Sequence, residues 1–282
     1  MRVCVAMSGG VDSSVAAVLL QEQGYELSGV NLRMFHNEDL GESREKTCCS
    51  LADAEDAALV ARRLGFPFYV FDFSQVFRDT VIRDFVNEYQ AGRTPNPCAV
   101  CNRDVKFGAL LQRVRALGSD CVATGHYARI EQDAASGRWL LKRAADRSKD
   151  QTYFLYMLTQ DQLAHTMFPL GSLHKTEVRQ IAEAHGLVNA RKHDSQDICF
   201  VPDGKYADFI ERTVGTPSPP LSGRFWTGRA GCWGSIKGSS ATQRASTRDW
   251  ACPRRSRCTY WKRTRRPIPS AWGRTVPYGP LS

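Results

Sequence analysis

The sequence predicts an α/β fold in which a parallel sheet flanked by helices spans residues 1–148 and a smaller, mainly helical domain follows over 149–220. Three observations carry this. Strand-like and helix-like runs alternate through the first 125 residues, as parallel strands joined by crossover helices require. A turn rich in glycine and serine stands directly between the first strand and the first helix. After Lys149 the alternation gives way to helical segments.

Arg2 to Met7 reads as a buried strand, and a helix follows from about Ser13 to Gln23 with Val15, Val18, Leu19 and Leu20 on its apolar side. Glu26 to Leu32 is a second strand. Ser50 is placed to cap a helix to about Leu64, with Asp53 in the capping-box position and Gly65 as the stop. Phe68 to Phe73 is a third strand, Phe77 to Tyr89 a helix ending near Gly92, and Asn102 to Leu117 another helix. Asp120 to Ala123 is a strand entering Thr124-Gly125-His126. Beyond Lys149, Gln151 to Leu158 and Lys175 to His185 read as helices, with no strong strand before about Ile198. The Pro217-Ser218-Pro219-Pro220 stretch closes this second domain.

The apolar run Val3 to Met7 is too short for an export signal, and no stretch approaches the ~18 apolar residues that span a bilayer. The expectation is a cytoplasmic protein with no membrane partner. Ten cysteines in a chain of this length point to chemistry or burial rather than a disulfide scaffold. Cys4 and Cys121 sit in strand-like apolar runs, where cysteine packs as a small hydrophobe. Cys98, Cys101 and Cys199 lie in polar, turn-rich surroundings where a thiol is accessible.

The net charge of +9 is unevenly spread: residues 221–282 hold 13 Lys or Arg against the single acid Asp249, whereas residues 1–220 hold 25 basic and 28 acidic residues. Overall charge therefore gives the main body no support as a nucleic-acid surface. The 221–282 tail carries five of the six tryptophans and no helical or strand period, and is expected to be an aberrant, basic, disordered segment.

Ser8-Gly9-Gly10-Val11-Asp12-Ser13-Ser14 opens the first helix. Glycines let the backbone approach a phosphate, the Ser8, Ser13 and Ser14 hydroxyls donate hydrogen bonds, and the helix N-terminus favours an anion. The loop lacks the Gly-Lys-Ser/Thr ending of a Walker loop and the dinucleotide fingerprint. Asp12 would repel phosphate unless it helps hold a divalent cation, for which Mg2+ is the expected ion. The segment resembles the SGGxDS loop of the ATP pyrophosphatase superfamily, whose fold is adenine nucleotide α-hydrolase-like and whose members split ATP between its α and β phosphates.

Thr94-Pro95-Asn96-Pro97-Cys98-Ala99-Val100-Cys101-Asn102 places Cys101 beside Asn102, read as a helix N-cap, where the helix dipole favours a thiolate. Asp197-Ile198-Cys199-Phe200 offers a second thiol. With the loop at Ser8, the Gly92 to Pro97 block with Cys101-Asn102, Ala123 to Tyr127, Lys149-Asp150-Gln151 with Tyr153-Phe154-Leu155, and Asp197 to Phe200, the chain resembles the tRNA-specific 2-thiouridylases across nearly all of residues 1–220.

The resemblance implies an ATP-dependent sulfurtransferase that adenylates the C2 carbonyl of the wobble uridine, position 34 of tRNA, and then delivers persulfide sulfur to it. It places ATP on Ala6, Met7, Ser8, Gly9, Gly10, Val11, Asp12 and Ser13, with Leu32 and Gly125 near the adenosine. It sets Asn96, Pro97 and Cys98 at the target base, although many relatives have Asp at position 98. Lys149, Asp150 and Gln151 would contact tRNA, Cys199 would carry the persulfide, and Cys101 would be the nucleophile that ends in a disulfide with it. A cysteine desulfurase or sulfur-relay protein would supply sulfur, and a cellular reductant would reset the thiols.

Cys98-x-x-Cys101 with Cys48-Cys49 also has the look of a zinc site, but zinc leaves Cys199 without a role, and no resident metal ion is expected. An iron–sulfur cluster on Cys98, Cys101 and Cys199 is a less favoured alternative, and a non-catalytic RNA-binding or redox module is the alternative outside enzymes. His126 reads equally as a nucleotide contact or a packed histidine, and Arg191, Lys192 and Lys106 as solvated charges or phosphate contacts. The family normally continues into a β-barrel-like domain, which this sequence is expected to lack. Codons chosen for Trp226 to Gly238 and on through Pro253 permit, in another frame, a family-like stretch containing Gly-Gln-His-Lys-Gly-Leu-Gly, so a frameshift between about Pro220 and Trp226 is expected.

Overall fold

The computed structural model describes residues 1–35, 51–192, 198–201 and 206–214 in full, and the backbone alone of 223–227 and 232–236. Strands β1 (Arg2–Ala6), β2 (Glu26–Arg33), β3 (Phe68–Asp72), β4 (Cys121–Ala123) and β7 (Thr166–Met167) form one sheet in the order β3-β2-β1-β4-β7. Every neighbouring pair in it is parallel, with Val3 opposite Leu27 on one side and Cys121 on the other. Chain order reverses between β1 and β4. In open α/β sheets, the crevice beyond the carboxyl ends of such a pair is where ligands bind.

The pleat of β1 explains the layering. Val3 and Val5 turn to one face, where α1 (Val11–Glu22) and α2 (Leu51–Leu64) cover them, and Cys4 turns to the other. Helix α1 buries Val11, Val15, Ala16, Ala17, Val18 and Leu20 together, so it is a core helix with little solvent face. Full burial of a residue such as Val15 stabilises by about 1.5–3 kcal/mol. The opposite layer holds two long helices: α3 over 74–90, with a π stretch at Arg78–Ile82, and α4 over 97–116, with a π stretch at Cys101–Ala109. Phe77, Phe85 and Phe107 from these helices are fully buried there.

Four expectations need correction or addition. First, α4 begins five residues earlier than expected. Asn96 is its N-cap, accepting from the Ala99 N–H at 3.2 Å, and Pro97 supplies the preset first turn. Asn102 is therefore interior rather than a cap. Second, a strand lies well before Ile198. β7 joins the main sheet beside β4, and α6 (Lys175–Ala184), which follows the short α5 (Gln160–Ala164), packs on α1. Residues 149–192 are thus tied to the same sheet. Third, Gln151 to Leu158 is not a continuous helix but a 3₁₀ turn at Thr152–Phe154. Fourth, an antiparallel hairpin of β5 (Ala128–Gln132) and β6 (Trp139–Arg143) was not anticipated.

Beyond α7 (Tyr206–Val214), the backbone of β8 (Gly223–Thr227) pairs antiparallel with β9 (Cys232–Ile236). Ser50, Cys48, Cys49 and the rest of the tail lie outside the described residues, as does 193–197.

Candidate functional site

The Met7–Gly10 loop is set by both sides of the sheet crevice. Met7 N–H continues the β1–β2 ladder to the Val30 carbonyl at 2.8 Å, and the buried Asn31 amide donates to the Met7 carbonyl at 2.8 Å. Gly9 has φ +74°, and a Cβ there would run into the Asp53 backbone at the start of α2, so glycine is required twice over. Gly10 is the N-cap of α1, and no side chain caps the helix. That arrangement suits an anion. The hydroxyls shape the turn: Ser13 Oγ donates to the Gly10 carbonyl at 3.0 Å and accepts from Ser8 N–H at 3.3 Å. Ser14 Oγ donates to the same carbonyl at 3.2 Å.

Residues from the far end of the chain complete the loop. Asn189 is buried and its amide donates to the Gly9 carbonyl at 3.0 Å and to Ser14 Oγ at 2.9 Å. Lys175, the first residue of α6, places Nζ 2.7 and 2.8 Å from the two carboxylate oxygens of Asp12. Tyr127 OH donates to the same carboxylate at 2.8 Å, and the Lys175 ammonium lies 5.7 Å from the Tyr127 ring centroid. Sequence reading named none of Lys175, Tyr127 or Asn189 as site residues. The signal available was Asp12 itself, an acid at a phosphate loop that calls for a cation.

Gly125 lies against the same turn. A Cβ there would stand 2.6 Å from Asp12 C and from Ser13 N, so the β4 loop and the first turn of α1 touch backbone to backbone. Ala6 is partly buried and Leu32 is buried in the core layer on the α3 and α4 side. The elements that carry the expected nucleotide residues therefore meet at one crevice, Met7 through Ser13 with Gly125.

Among the thiols, Cys98 is exposed on the first turn of α4, Cys101 is buried, and Cys199 is half-buried. Because Asn96 caps α4, Cys101 stands in its second turn and Cys98 in its first, so the dipole argument applies more strongly to Cys98. Cys101 Sγ lies 3.9 Å from Met34 Sδ. Cys101 belongs to the apolar layer built on α3 and α4, and Cys199 packs against that same layer beside Phe200. Burial pushes the Cys4 thiol up to about 11 despite a hydrogen bond with Ser28, and burial followed by the Asp120 charge raises Cys121. Both are kept protonated inside the sheet. Among the described residues no group of three or more His, Cys, Asp or Glu side chains is placed to hold a metal ion.

The remaining expected residues lie around the turn after β6. Asp150 accepts from the Ala144 N–H at 2.8 Å and from Thr152 Oγ1 at 2.7 Å, and Gln151 Oε1 accepts from the Tyr127 N–H at 2.9 Å. Both side chains thus hold the turn in shape, while Lys149 joins it through its N–H to the Asp146 carbonyl at 3.2 Å. Pro97 is buried at the start of α4, next to its cap Asn96. His126 packs between Phe107 and Phe168, with Nδ1 2.7 Å from Thr124 Oγ1. Burial first, and the Lys106 charge second, push its pKa well below the ordinary value. Lys192 is partly exposed and pairs with two carboxylates of α2, Nζ lying 2.6 Å from both Asp53 and Asp56. Burial opposes its charge, but those two hydrogen bonds outweigh it and hold its pKa above the ordinary value. Arg191 is exposed, 3.6 Å from Glu183.

A family model described as the tRNA methyl transferase HUP domain matches residues 1–203. The chain belongs to that family. It is 55% identical over 217 residues to the tRNA-specific 2-thiouridylase MnmA of Geotalea uraniireducens, covering 76% of this chain and 58% of that protein. With the enzyme of the same name from Clostridioides difficile it shares 50% over 211 residues, 75% of this chain and 58% of that one. These relatives bear the name of the group that the five sequence blocks resemble, and the chain spans less than two thirds of their length. Among solved structures, the NMN synthetase of Francisella tularensis aligns with 77% of this chain and 78% of its own at 15% identity and a TM-score of 0.42.

Proposed function

We propose that this chain is the nucleotide-binding and thiol-bearing part of a tRNA 2-thiouridylase, a cytoplasmic ATP-dependent sulfurtransferase. The observation that carries the reading is the crevice at the β1–β4 reversal, where an uncapped helix N-terminus, two glycines at points of backbone contact and the Asp12–Lys175 pair converge. Its support from outside is the family membership and the relatives' names.

In this reading the backbone amides at the start of α1 hold the ATP phosphates while the Ser13 and Ser14 hydroxyls keep the turn in shape, and Lys175 stands ready to meet the negative charge that pyrophosphate carries as it leaves. A magnesium ion arriving with ATP fits the donor set, since it takes one or two carboxylates plus phosphate oxygens, and Asp12 is the carboxylate at hand. When bound it would neutralise phosphate charge. The uridine O2 attacks the α-phosphate and pyrophosphate leaves, which makes AMP the leaving group on C2. The terminal sulfur of a Cys199 persulfide attacks C2 and AMP departs. The Cys101 thiolate then attacks Cys199 Sγ, breaking the S–S bond so that sulfur stays on the base and the two cysteines form a disulfide. A cellular reductant returns both thiols, and a cysteine desulfurase or relay protein reloads Cys199.

Asn96, Pro97 and Cys98 at the start of α4 would face the base, and Lys149, Asp150 and Gln151 would meet the tRNA backbone, with Asp150 and Gln151 acting through the shape of the turn. The test is mass spectrometry of nucleosides from tRNA incubated with the chain, ATP, magnesium and a persulfide donor. ATP-dependent 2-thiouridine supports the reading; its absence when all of these are present, with the chain folded, overturns it. An iron–sulfur route on the same thiols predicts iron and sulfide in anaerobically purified protein.

A further inference from the structure

Two tyrosines stand out among the exposed residues. Tyr153 is 70% exposed and Tyr156 65%, and both belong to a turn that is otherwise firmly anchored. Leu155 between them is fully buried. Asn102 donates to the Phe154 carbonyl at 2.9 Å, Gln151 N–H to the Tyr127 carbonyl at 2.9 Å, and Phe154 N–H to the Gln151 carbonyl at 2.9 Å. The two tyrosine rings are 6.4 Å apart and tilted by 30°. The backbone is thus fixed while the rings face water, leaving apolar area uncovered that folding alone would bury.

We infer that Tyr153 and Tyr156 form a stacking platform for an unpaired base of the RNA next to the target uridine. The inference rests on the proposal that Asn96–Cys98 faces the target base. The turn lies against the first turn of α4, which carries those residues, and the Asn102–Phe154 hydrogen bond locks the two together. Arg103 on the same helix is held by both carboxylate oxygens of Asp104, at 2.6 and 2.7 Å, so the surroundings of the rings are polar without carrying a free charge. A rigid aromatic pair in a polar setting, flanked by Lys149 and Gln151, suits the π-face of a splayed base. A protein partner calls for a broader apolar patch.

The test uses the full chain and an RNA stem–loop carrying 2-aminopurine beside the target uridine. Stacking on the tyrosines is expected to quench the fluorescence on binding. Tyr153→Ala and Tyr156→Ala should lose the quench and bind about tenfold more weakly, while Tyr153→Phe and Tyr156→Phe keep both, since the ring rather than the hydroxyl stacks. If the parent binds the loop and the alanine variants bind and quench equally well, the platform is wrong and the proposed function stands. If the parent binds a fully paired duplex as well as the loop and shows no quench, the platform is also wrong. If the parent binds no RNA at all, both fall together.

Discussion

Lys175 Nζ sits within 2.8 Å of both carboxylate oxygens of Asp12, although 163 residues separate them in the chain. The side chain of Lys175 is 11% exposed and that of Asp12 30%. This pair joins the N-terminus of α6 to the N-terminus of α1. It presents at the Met7–Gly10 loop one charge of each sign, and in the proposed reaction each would take a new partner from the nucleotide and its cation.

Removing Lys175 takes the cation from the partly buried Asp12 carboxylate and leaves it the Tyr127 hydroxyl as a hydrogen-bond donor. Lys175→Met is expected to lower stability by about 1–2 kcal/mol, less than the 3–5 kcal/mol typical of fully buried pairs because Asp12 keeps some solvent. The Lys175→Met/Asp12→Asn double variant should be more stable than the sum of the single losses implies, measured by urea unfolding in a double-mutant cycle. Strict additivity would show that the pair carries no coupling. In the ATP reaction, Asp12→Ala should abolish pyrophosphate release; unchanged release sinks its proposed role.

Gly125→Ala is the backbone counterpart. The added methyl meets Asp12 C and Ser13 N at 2.6 Å, and neither can swing aside as a side chain tip could. The first turn of α1 must shift, so nucleotide affinity measured by calorimetry should fall at least tenfold, with a lower Tm. Wild-type affinity would mean that the β4 loop does not define the crevice.

Much of this was legible locally. The alternation of strands and helices and the loop at Ser8 depend on periods and turns a few residues long. The start of α4 was missed because both Asn96 and Asn102 are cap-type residues. Pro97, preset for the first helical position, is what decides between them. The β5–β6 hairpin hid behind the Asp133 to Gly137 turn, in which Asp133 accepts from Ser136 rather than a tight two-residue connection being used. Lys175, Asn189 and Lys192 were invisible as partners because their contacts with Asp12, Gly9 and Asp53 span more than a hundred residues. No local period reports such pairings.

The thiols should separate by role. Cys199→Ser is expected to lose persulfide loading, whereas Cys101→Ser should load sulfur and fail to pass it on. Counting labelled sulfur on protein and on tRNA distinguishes the two, and equal delivery by either variant and the parent would refute the assignment.

His126 gives a pH signature. Burial holds its folded-state pKa well below 6.5, so the unfolded chain binds a proton that the folded one refuses. Stability should be unaffected above that ordinary value and fall as pH drops from it toward the folded-state pKa. Urea midpoints at pH 7.5 and 5.5 should differ more for the parent than for His126→Gln. An equal difference would place the acid sensitivity elsewhere.

The most direct test of the central claim, that one crevice couples ATP cleavage to sulfur delivery, is the ratio of pyrophosphate released to 2-thiouridine formed when the persulfide-loaded chain meets ATP and tRNA in a single turnover. The account predicts a ratio near one, with no pyrophosphate when tRNA is omitted and none from Asp12→Ala; thiolation without pyrophosphate would contradict it.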